Sequence, residues 1–226
     1  MRVLITDLTE MHQGHYCVAG WDLDALKMVR PLFRHSHWTS QNIASYRIVP
    51  GNKIQFVALP DRPNGAMPHL SEDVMVDAAK ITFGSANGAI WFGDGAPPTC
   101  PTLRRAFSNN LQTGRRWDNA LQGEFVPRGT ACASLSAIRT DVANVEFYEG
   151  NYKGKRSLRV HLTDDEETYS LPVVAKDLRE KYRQEGADGV NALLPKRNAV
   201  HVRVGLARAW EDQPEKCTVM FNGVYW

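Results

Sequence analysis

The sequence begins with the run RVLITDL at residues 2–8, which is rich in β-branched and aliphatic side chains. Two similar runs follow, HYCVAGW at 15–21 and NKIQFVAL at 52–59, with turn-forming residues such as Gln13-Gly14 and Pro50-Gly51-Asn52 between them. Short runs of this composition, bounded by turn residues, are typical of β-strands. A further pair at 81–84 and 89–93, joined by Asn87-Gly88, predicts a β-hairpin because these two residues tolerate the positive φ of a tight turn.

The second half of the chain shows a period-two pattern in two places. The alternating apolar positions are Leu158, Val160 and Leu162, then Val202, Val204 and Leu206; the polar positions among or just after them are Arg159, His161, Arg203 and Arg208. Alternation of this kind predicts strands with one face on a core and the other face in water. The four polar side chains are therefore expected to be exposed to solvent.

One helix is predicted at 171–185. Ser170 and Pro172 make a plausible start, apolar residues recur at four-residue spacing, and Gly186 is placed to end the helix. A second, shorter helix is predicted at 39–46, opened by Thr39 or Ser40.

The number of strands and the chain length together predict a mainly β protein with a few helices, built from two small barrels packed together. A chain of 226 residues is long enough for two modest cores. The predicted boundaries are a first barrel at 1–98, a connector or elaborated loop at 99–130, and a second barrel at 131–226 that contains the helix.

Composition excludes several classes of protein. No apolar run approaches the roughly 18–20 residues of a membrane-spanning helix, and the N-terminus, with Asp7, does not have the pattern of a secretory signal. The four cysteines are scattered without a Cys-x-x-Cys pair, and the net charge is only +2. We therefore expect a cytoplasmic protein that has no membrane association, binds no metal and needs no cofactor.

Five segments, in order along almost the whole chain, resemble the bacterial dual OB-fold domain proteins. They are CVAGWD at 17–22, VRPL at 29–32, PHLSEDV at 68–74, VRVGLAR at 202–208 and FNGVY at 221–225. This family is associated with defence and DNA-modification gene clusters. The resemblance implies two OB-like barrels and a nucleic-acid or nucleotide partner, but it does not supply an active site.

The segment RPLFRHSHW at 30–38 is the first candidate for nucleic-acid binding. OB-type barrels stack bases on aromatic rings beside a basic groove, and the residues suited to this work are Arg30, Arg34, His37 and Trp38. The alternative is that Arg30 pairs with an internal carboxylate, Phe33 fills the core and the histidines lie in a solvated loop. The His35/His37 pair lacks a third ligand nearby, so a metal site is not predicted.

Further basic clusters are candidates for phosphate contact. Those in the predicted connector are Arg104, Arg105, Arg115 and Arg116, with Trp117 beside them; Arg203 and Arg208 lie in the second barrel. A third cluster, Lys153, Lys155, Arg156 and Arg159, is expected to pair instead with the acidic residues 164–167 on the partner strand.

Cys17 is the candidate nucleophile, although most lone cysteines in strands are small core residues. Asp22, His35 and Glu72 are the groups proposed to move its proton. The stretch at 69–73 either does acid–base work of this kind or forms an ordinary turn.

Three functions follow from these residues. The first is a binding protein for single-stranded or distorted DNA, or for a modified base. The second is a Cys17-dependent enzyme acting on a base in DNA, for example converting the nitrile of a 7-cyano-7-deazaguanine base to an amide. The third is a structural subunit that binds other proteins of a modification or defence cluster. Residues 224–226 form either an apolar patch for such a partner or a segment that packs against its own barrel, and the second is favoured.

Overall fold

The computed structural model describes residues 1–226 except 62, 64, 87–90, 92–95, 116–121, 153, 197 and 212, and it leaves undescribed the side chains of 86, 115, 122 and 152. The contacts divide the chain into two compact units, Met1–Pro97 (unit 1) and Pro98–Trp226 (unit 2). None of the described helices is long and apolar enough to cross a membrane.

Unit 1 is built from short strands and one short helix. Its elements are β1 Arg2–Glu10, β2 Tyr16–Asp22, β3 Lys27–Leu32, α1 Ser40–Ser45, β4 Asn52–Gln55, β5 Asp73–Met75 and β6 Thr82–Ala86, with 3-10 helices at His12–Gly14, His69–Ser71 and Ala78–Lys80. Helix α1 begins after Thr39, whose side chain and that of Asn42 form a capping box. The predicted helix at 39–46 is therefore confirmed.

The strands of unit 1 close into a small barrel. Their order is β5-β3-β2-β1-β4-β6, in which β3 and β5 are parallel and the other pairs are antiparallel. A bridge between Ala58 and Val76, just beyond β4 and β5, joins these two strands and completes the ring. A five-stranded barrel of this order, with β6 added at one edge, is the OB arrangement.

One face of the sheet of unit 1 packs on the core of the unit, and the opposite face carries both apolar and polar side chains. Val3, Ile5, Leu8, Val18 and Val29 are buried in the core of the unit. Because side chains alternate along a strand, the neighbours of these residues in β2 and β3 lie on the opposite face. That face carries Cys17, which pairs with Thr9 of β1, and also Arg30.

Unit 2 contains eight strands and two helices among its described residues. They are α2 Leu103–Ala106, β7 Gln112–Arg115, β8 Gln122–Pro127, β9 Leu135–Asp141, β10 Val145–Tyr152, β11 Lys155–Thr163, β12 Thr168–Pro172, α3 Lys176–Asn191, β13 Ala199–Leu206 and β14 Lys216–Tyr225. Strands β9 and β10 are separated by a single 3-10 turn, Val142–Asn144, and together they act as one bent strand.

The same barrel order recurs in unit 2. One sheet has the order β10-β11-β12, and the other has the order β7-β8-β14-β13-β9. A parallel bridge from Val173, directly after β12, to Phe221 of β14 joins the two sheets. With β9 and β10 as the first strand, α3 lies between the third and fourth strands of an OB barrel, and the hairpin β7–β8 extends β14. The predicted fold class, mainly β with OB-like barrels, is confirmed.

Several sequence predictions differ from the structure. Helix α3 begins at Lys176 and not near 171, because Ser170 and Pro172 pair with β11 as part of β12. The helix continues to Asn191, and Gly186, with φ of 71°, marks a kink inside it. Arg159 and Arg203 are only 2% and 0% exposed, so the prediction that they lie on a wet face is wrong.

The predicted connector at 99–130 contains α2, β7 and β8. It also contributes Leu103, Phe107 and Val126 to the core of unit 2. The exact domain boundaries stay a prediction. The predicted hairpin turn at 87–88, with most of 89–93, lies outside the described residues.

Candidate functional site

Trp38 belongs to the core of unit 1 and not to a binding groove. Its side chain is 2% exposed, its ring centroid lies 4.3 Å from that of Phe33, and its indole N–H donates to the carbonyl of Pro31 at 2.9 Å. The edges of Tyr46 and Phe56 complete its surroundings. The prediction that Trp38 offers an accessible face for a base is therefore wrong, because all of its ring surface is used in packing.

Arg30 is also buried, and its alternative role as the partner of an internal carboxylate is confirmed. Parallel pairing of β3 with β5 sets Arg30 beside Asp73. The guanidinium donates to the Asp73 carboxylate at 2.8 Å, with side chains only 5% and 1% exposed. The backbone N–H of Arg30 donates to the carbonyl of Glu72.

Cys17 lies in the same charged environment. Burial works to lower the pKa of Arg30, yet the negative charges of Cys17, as a thiolate, and of Asp73 raise it above its ordinary value. Glu72 contributes to the same rise. The structure therefore brings together Cys17, Arg30 and Glu72, which the sequence proposed without knowing their distances, and adds Asp73 to them.

The other predicted partners of Cys17 lie elsewhere. Asp22 accepts from the backbone N–H groups of Asp24 and Ala25, so its carboxylate caps the turn after β2. It is also five residues from Cys17 along one strand, about 16 Å at the usual rise, and it points to the opposite face. The prediction that Asp22 shuttles the Cys17 proton is wrong for this reason.

The other candidate residues of the 30–38 segment are exposed. His37 stacks on His15 with ring centroids 4.7 Å apart, Arg34 forms an exposed ion pair with Asp61, and His35 lies at the surface. Roles for Arg34 and His37 in nucleic-acid binding, and for His35 in proton transfer, stay predictions. Among the described residues, no group of three or more His, Cys, Asp or Glu side chains is arranged to hold a metal ion.

The segment at 69–73 folds as a turn that delivers two buried acidic groups. His69–Ser71 is a 3-10 helix, the Ser71 hydroxyl donates to the carbonyl of Pro68, and His69 is 3% exposed. Glu72 and Asp73 follow it and are buried beside Arg30. The turn and the charged cluster are therefore parts of one structure.

In unit 2, the sheet β10–β11–β12 has a polar face opposite its apolar core. Cross-strand register places Glu146 beside His161, Tyr148 beside Arg159, and His161 beside Ser170. The rings of Tyr148 and His161 stack with centroids 4.1 Å apart. In an OB barrel the face of the second and third strands is a ligand-binding surface, and here those strands are β11 and β12.

The arginines of the predicted connector have mixed surroundings. Arg104 is paired with Glu166 and Glu167, which lie in the turn between β11 and β12. The expected pairing of this acidic turn with the 153–159 cluster is therefore wrong, because the turn faces α2. Arg105 is exposed. The side chain of Arg115, together with Arg116, Trp117 and Lys153, lies outside the described residues.

The loop between β13 and β14 presents an aromatic side chain that sequence reasoning missed. Trp210 is 62% exposed, and Arg208 in the same loop is exposed as well. Arg203, by contrast, is fully buried inside the barrel, so it does not face a strand of nucleic acid. The signal for Trp210 is present in the sequence, since it lies in the polar run RAWEDQPE at 208–215, directly after the predicted strand around 202–206.

The C-terminal residues do not form an apolar patch. Val224 is 6% exposed and Tyr225 is half-buried, while Trp226 is 55% exposed. Only one of the three side chains is thus available to a partner protein.

Comparison with known proteins decides the family. The family model described as the dual OB-containing domain matches residues 1–224. The chain belongs to this family. The resemblance seen in the sequence is thereby confirmed, and it agrees with the two barrels. No curated protein matches this dual OB protein.

One solved structure similar to the dual OB protein is that of a murine DNA-binding protein bound to double-stranded DNA. The two share 8% sequence identity over 99% of this chain and 97% of that chain, with a TM-score of 0.34. A likeness of this degree establishes neither a shared fold nor a shared function.

Proposed function

We propose that the dual OB protein binds single-stranded nucleic acid, with a base stacked on Trp210. The observation that carries this proposal is the 62% exposure of the Trp210 side chain in the loop between the fourth and fifth strands of the unit 2 barrel. This loop, together with the face of the second and third strands, is where OB barrels bind oligonucleotides. Bacterial DNA modification or defence is the context that the family resemblance implies.

Base stacking explains why a large apolar ring is left in water at this position. An exposed indole gains little from its own chain, whereas a base stacked on an aromatic side chain contributes about 1–3 kcal/mol. The stacked rings of Tyr148 and His161 provide a second aromatic surface on the β10–β11–β12 face. A single strand suits both surfaces because its bases are not paired.

Trp210→Ala is expected to weaken binding of a fluorescent single-stranded oligonucleotide roughly 5- to 150-fold, the range that corresponds to the loss of one stacked base. Fluorescence anisotropy at two salt concentrations measures the affinity, which has to fall as salt rises because phosphate contacts release counterions. The absence of binding by the wild-type protein at low salt would remove the proposal.

Trp226→Ala is the matched control. Trp226 lies in the same unit and is 55% exposed, but it follows β14 and lies outside the loop. Its replacement removes a comparable exposed indole, so its affinity is expected to stay near that of the wild type. Equal losses in the two variants would mean that Trp210 has no specific role.

A second candidate function is favoured by the position of Cys17 beside Arg30. A neighbouring guanidinium stabilises a thiolate, which is the nucleophilic form of cysteine. In this proposal the Cys17 sulfur adds to the nitrile carbon of a base such as 7-cyano-7-deazaguanine, and Glu72 supplies the proton that the nitrile nitrogen takes up to form a thioimidate. Water then adds to the thioimidate carbon and the sulfur leaves, which gives the amide and frees Cys17. Glu72 replaces Asp22 in this role because Asp22 caps a turn on the other face.

Cys17→Ser is expected to change the modified nucleosides of a host that carries the gene, with the nitrile form accumulating at the expense of the amide. Mass spectrometry of digested DNA measures both species. The control is Cys100→Ser, because Cys100, like Cys17, is half-buried and outside any disulfide, but it lies in unit 2, 3.8 Å from the Ser136 hydroxyl. An unchanged nucleoside profile in Cys17→Ser would rule out the proposed enzymatic function.

A further inference from the structure

Arg159 is a buried cation on the polar face of unit 2. Only 2% of the residue is exposed, although its strand neighbours on that face are half-buried or exposed. The side chain lies over Gly150 of β10, where an added Cβ would come within 2.4 Å of the Arg159 Cδ. The missing side chain at position 150 therefore makes the room that the guanidinium stem occupies.

The described hydrogen-bond partners of Arg159 are all neutral. Its Nε donates to the hydroxyls of Tyr148 at 3.2 Å and Ser170 at 3.1 Å. Its Nη2 donates to the carbonyl and the hydroxyl of Ser170 at 2.7 and 2.8 Å. The Tyr148 and Ser170 hydroxyls are themselves 2.6 Å apart, so the three side chains form one network.

No carboxylate balances this charge among the described residues. Glu146, on the same face, is 73% exposed and lies 3.6 Å from His161, and Glu149 lies beside Arg156. Arg30 of unit 1 shows the contrast, since it is equally buried but pairs with Asp73. A buried cation without a counter-charge is unfavourable, and this favours an anionic ligand.

The network has the chemistry of a phosphate site. A guanidinium supplies a planar fork of donors that matches phosphate oxygens, and its Nη1 makes no hydrogen bond with the described residues. The Ser170 and Tyr148 hydroxyls share one hydrogen bond with each other, so together they leave one O–H free to donate to a ligand. His161, stacked on Tyr148, is half-buried at the edge of this network.

We propose that Arg159, Ser170 and Tyr148 bind a phosphate group. The phosphate is either one of the nucleic-acid backbone or a free phosphate, and the first case rests on the proposed function. In that case the site fixes one phosphate on the β10–β11–β12 face while bases stack on nearby rings.

The test follows the Arg159 Nε–H resonance by NMR in the full-length protein while inorganic phosphate is added. The hydrogen bonds to Tyr148 and Ser170 hold this proton in place, so its signal is expected to be observable. We expect a saturable shift with phosphate and none with chloride at the same ionic strength. The absence of a phosphate-dependent shift would overturn the proposal.

Variants then assign the effect to the site. Ser170→Ala keeps the charge and is expected to weaken the phosphate response several-fold. Arg159→Gln is expected to abolish the protection that phosphate gives against thermal unfolding. It is also expected to remove about one phosphate contact from oligonucleotide binding, which lowers the slope of log affinity against log salt concentration by about 0.7 for a single strand. Arg156→Gln, on the same strand and with a 78% exposed side chain, is the control. Equal effects in Arg156→Gln would assign the response to surface charge.

Two outcomes distinguish the phosphate site from the proposed binding of nucleic acid. A shift with inorganic phosphate but no oligonucleotide binding would support the phosphate site and overturn the nucleic-acid proposal. Oligonucleotide binding without any phosphate shift, and with unchanged salt dependence in Arg159→Gln, would overturn the phosphate site alone.

Discussion

Trp38→Ala is expected to lower the free energy of unfolding of unit 1 by about 3–5 kcal/mol, the usual cost of truncating a buried aromatic side chain. The folded variant is expected to bind single-stranded nucleic acid as the wild type does. Both expectations follow from the position of Trp38, which packs on Phe33, Tyr46 and Phe56 and has 2% of its surface exposed.

Hydrogen exchange of the β1 and β2 amides measures this change for unit 1 by itself, which matters because a chain of two units need not unfold in one step. Anisotropy with a labelled oligonucleotide, below the unfolding temperature of the variant, measures binding. Trp226→Ala serves as the control here as well, with a change in stability within about 0.5 kcal/mol. A Trp38→Ala variant of near wild-type stability and weakened binding would place Trp38 on the ligand surface after all.

The barrels were predictable because their signals are local. Turn residues divide the strands of the first half, and the alternation of Val202, Val204 and Leu206 marks a strand with a buried face. Helix α1 was predictable for the same reason, since its capping box is formed by Thr39 and Asn42, three residues apart. Such features depend on a few neighbouring residues and not on the rest of the fold.

The surroundings of Arg30 and Trp38 were not predictable from their own segment. The counter-charge of Arg30 comes from Asp73, 43 residues away, and the aromatic cage of Trp38 includes Phe56 from beyond β4. Alternation shows that a strand has two faces, but it does not show what covers the second face. For this reason Arg159 and Arg203 were expected to be exposed to solvent, whereas other parts of unit 2 bury them.

The sequence was enough to name residues of the candidate site but not to show that they lie close together. The sequence offered Cys17, Arg30 and Glu72 as chemically suitable groups, and the parallel pairing of β3 with β5 brings them together. Parallel neighbours are joined by long connections, so no spacing rule links residue 17 or 30 to residue 72. Trp210 was overlooked because it is a single aromatic residue followed by acidic residues, whereas the candidates were chosen from clusters of basic and aromatic residues.

Asp73→Asn is expected to lower the free energy of unfolding of unit 1 by about 3–5 kcal/mol, because it leaves the buried Arg30 cation without its main partner. The amide keeps the size of the carboxylate, so the loss reports on charge and not on a cavity. Hydrogen exchange in β1 and β2 again measures unit 1.

Asp61→Asn is the matched control for this substitution. It removes the same charge from an arginine pair in the same unit, but the Arg34 and Asp61 side chains are 54% and 40% exposed. Water screens such a pair, so the expected loss is about 0–1 kcal/mol. Equal losses in the two variants would show that burial does not strengthen the Arg30–Asp73 pair.

The double variant Arg30→Met with Asp73→Leu separates stability from chemistry at Cys17. Replacing a buried ion pair by apolar side chains of similar volume is often neutral for stability, so this variant is expected to be more stable than Asp73→Asn. It also removes the cation that stabilises a Cys17 thiolate, and alkylation of Cys17 at neutral pH is expected to slow. Unchanged alkylation in a folded double variant would mean that Arg30 serves the fold alone, and the enzymatic reading of Cys17 would lose its physical basis.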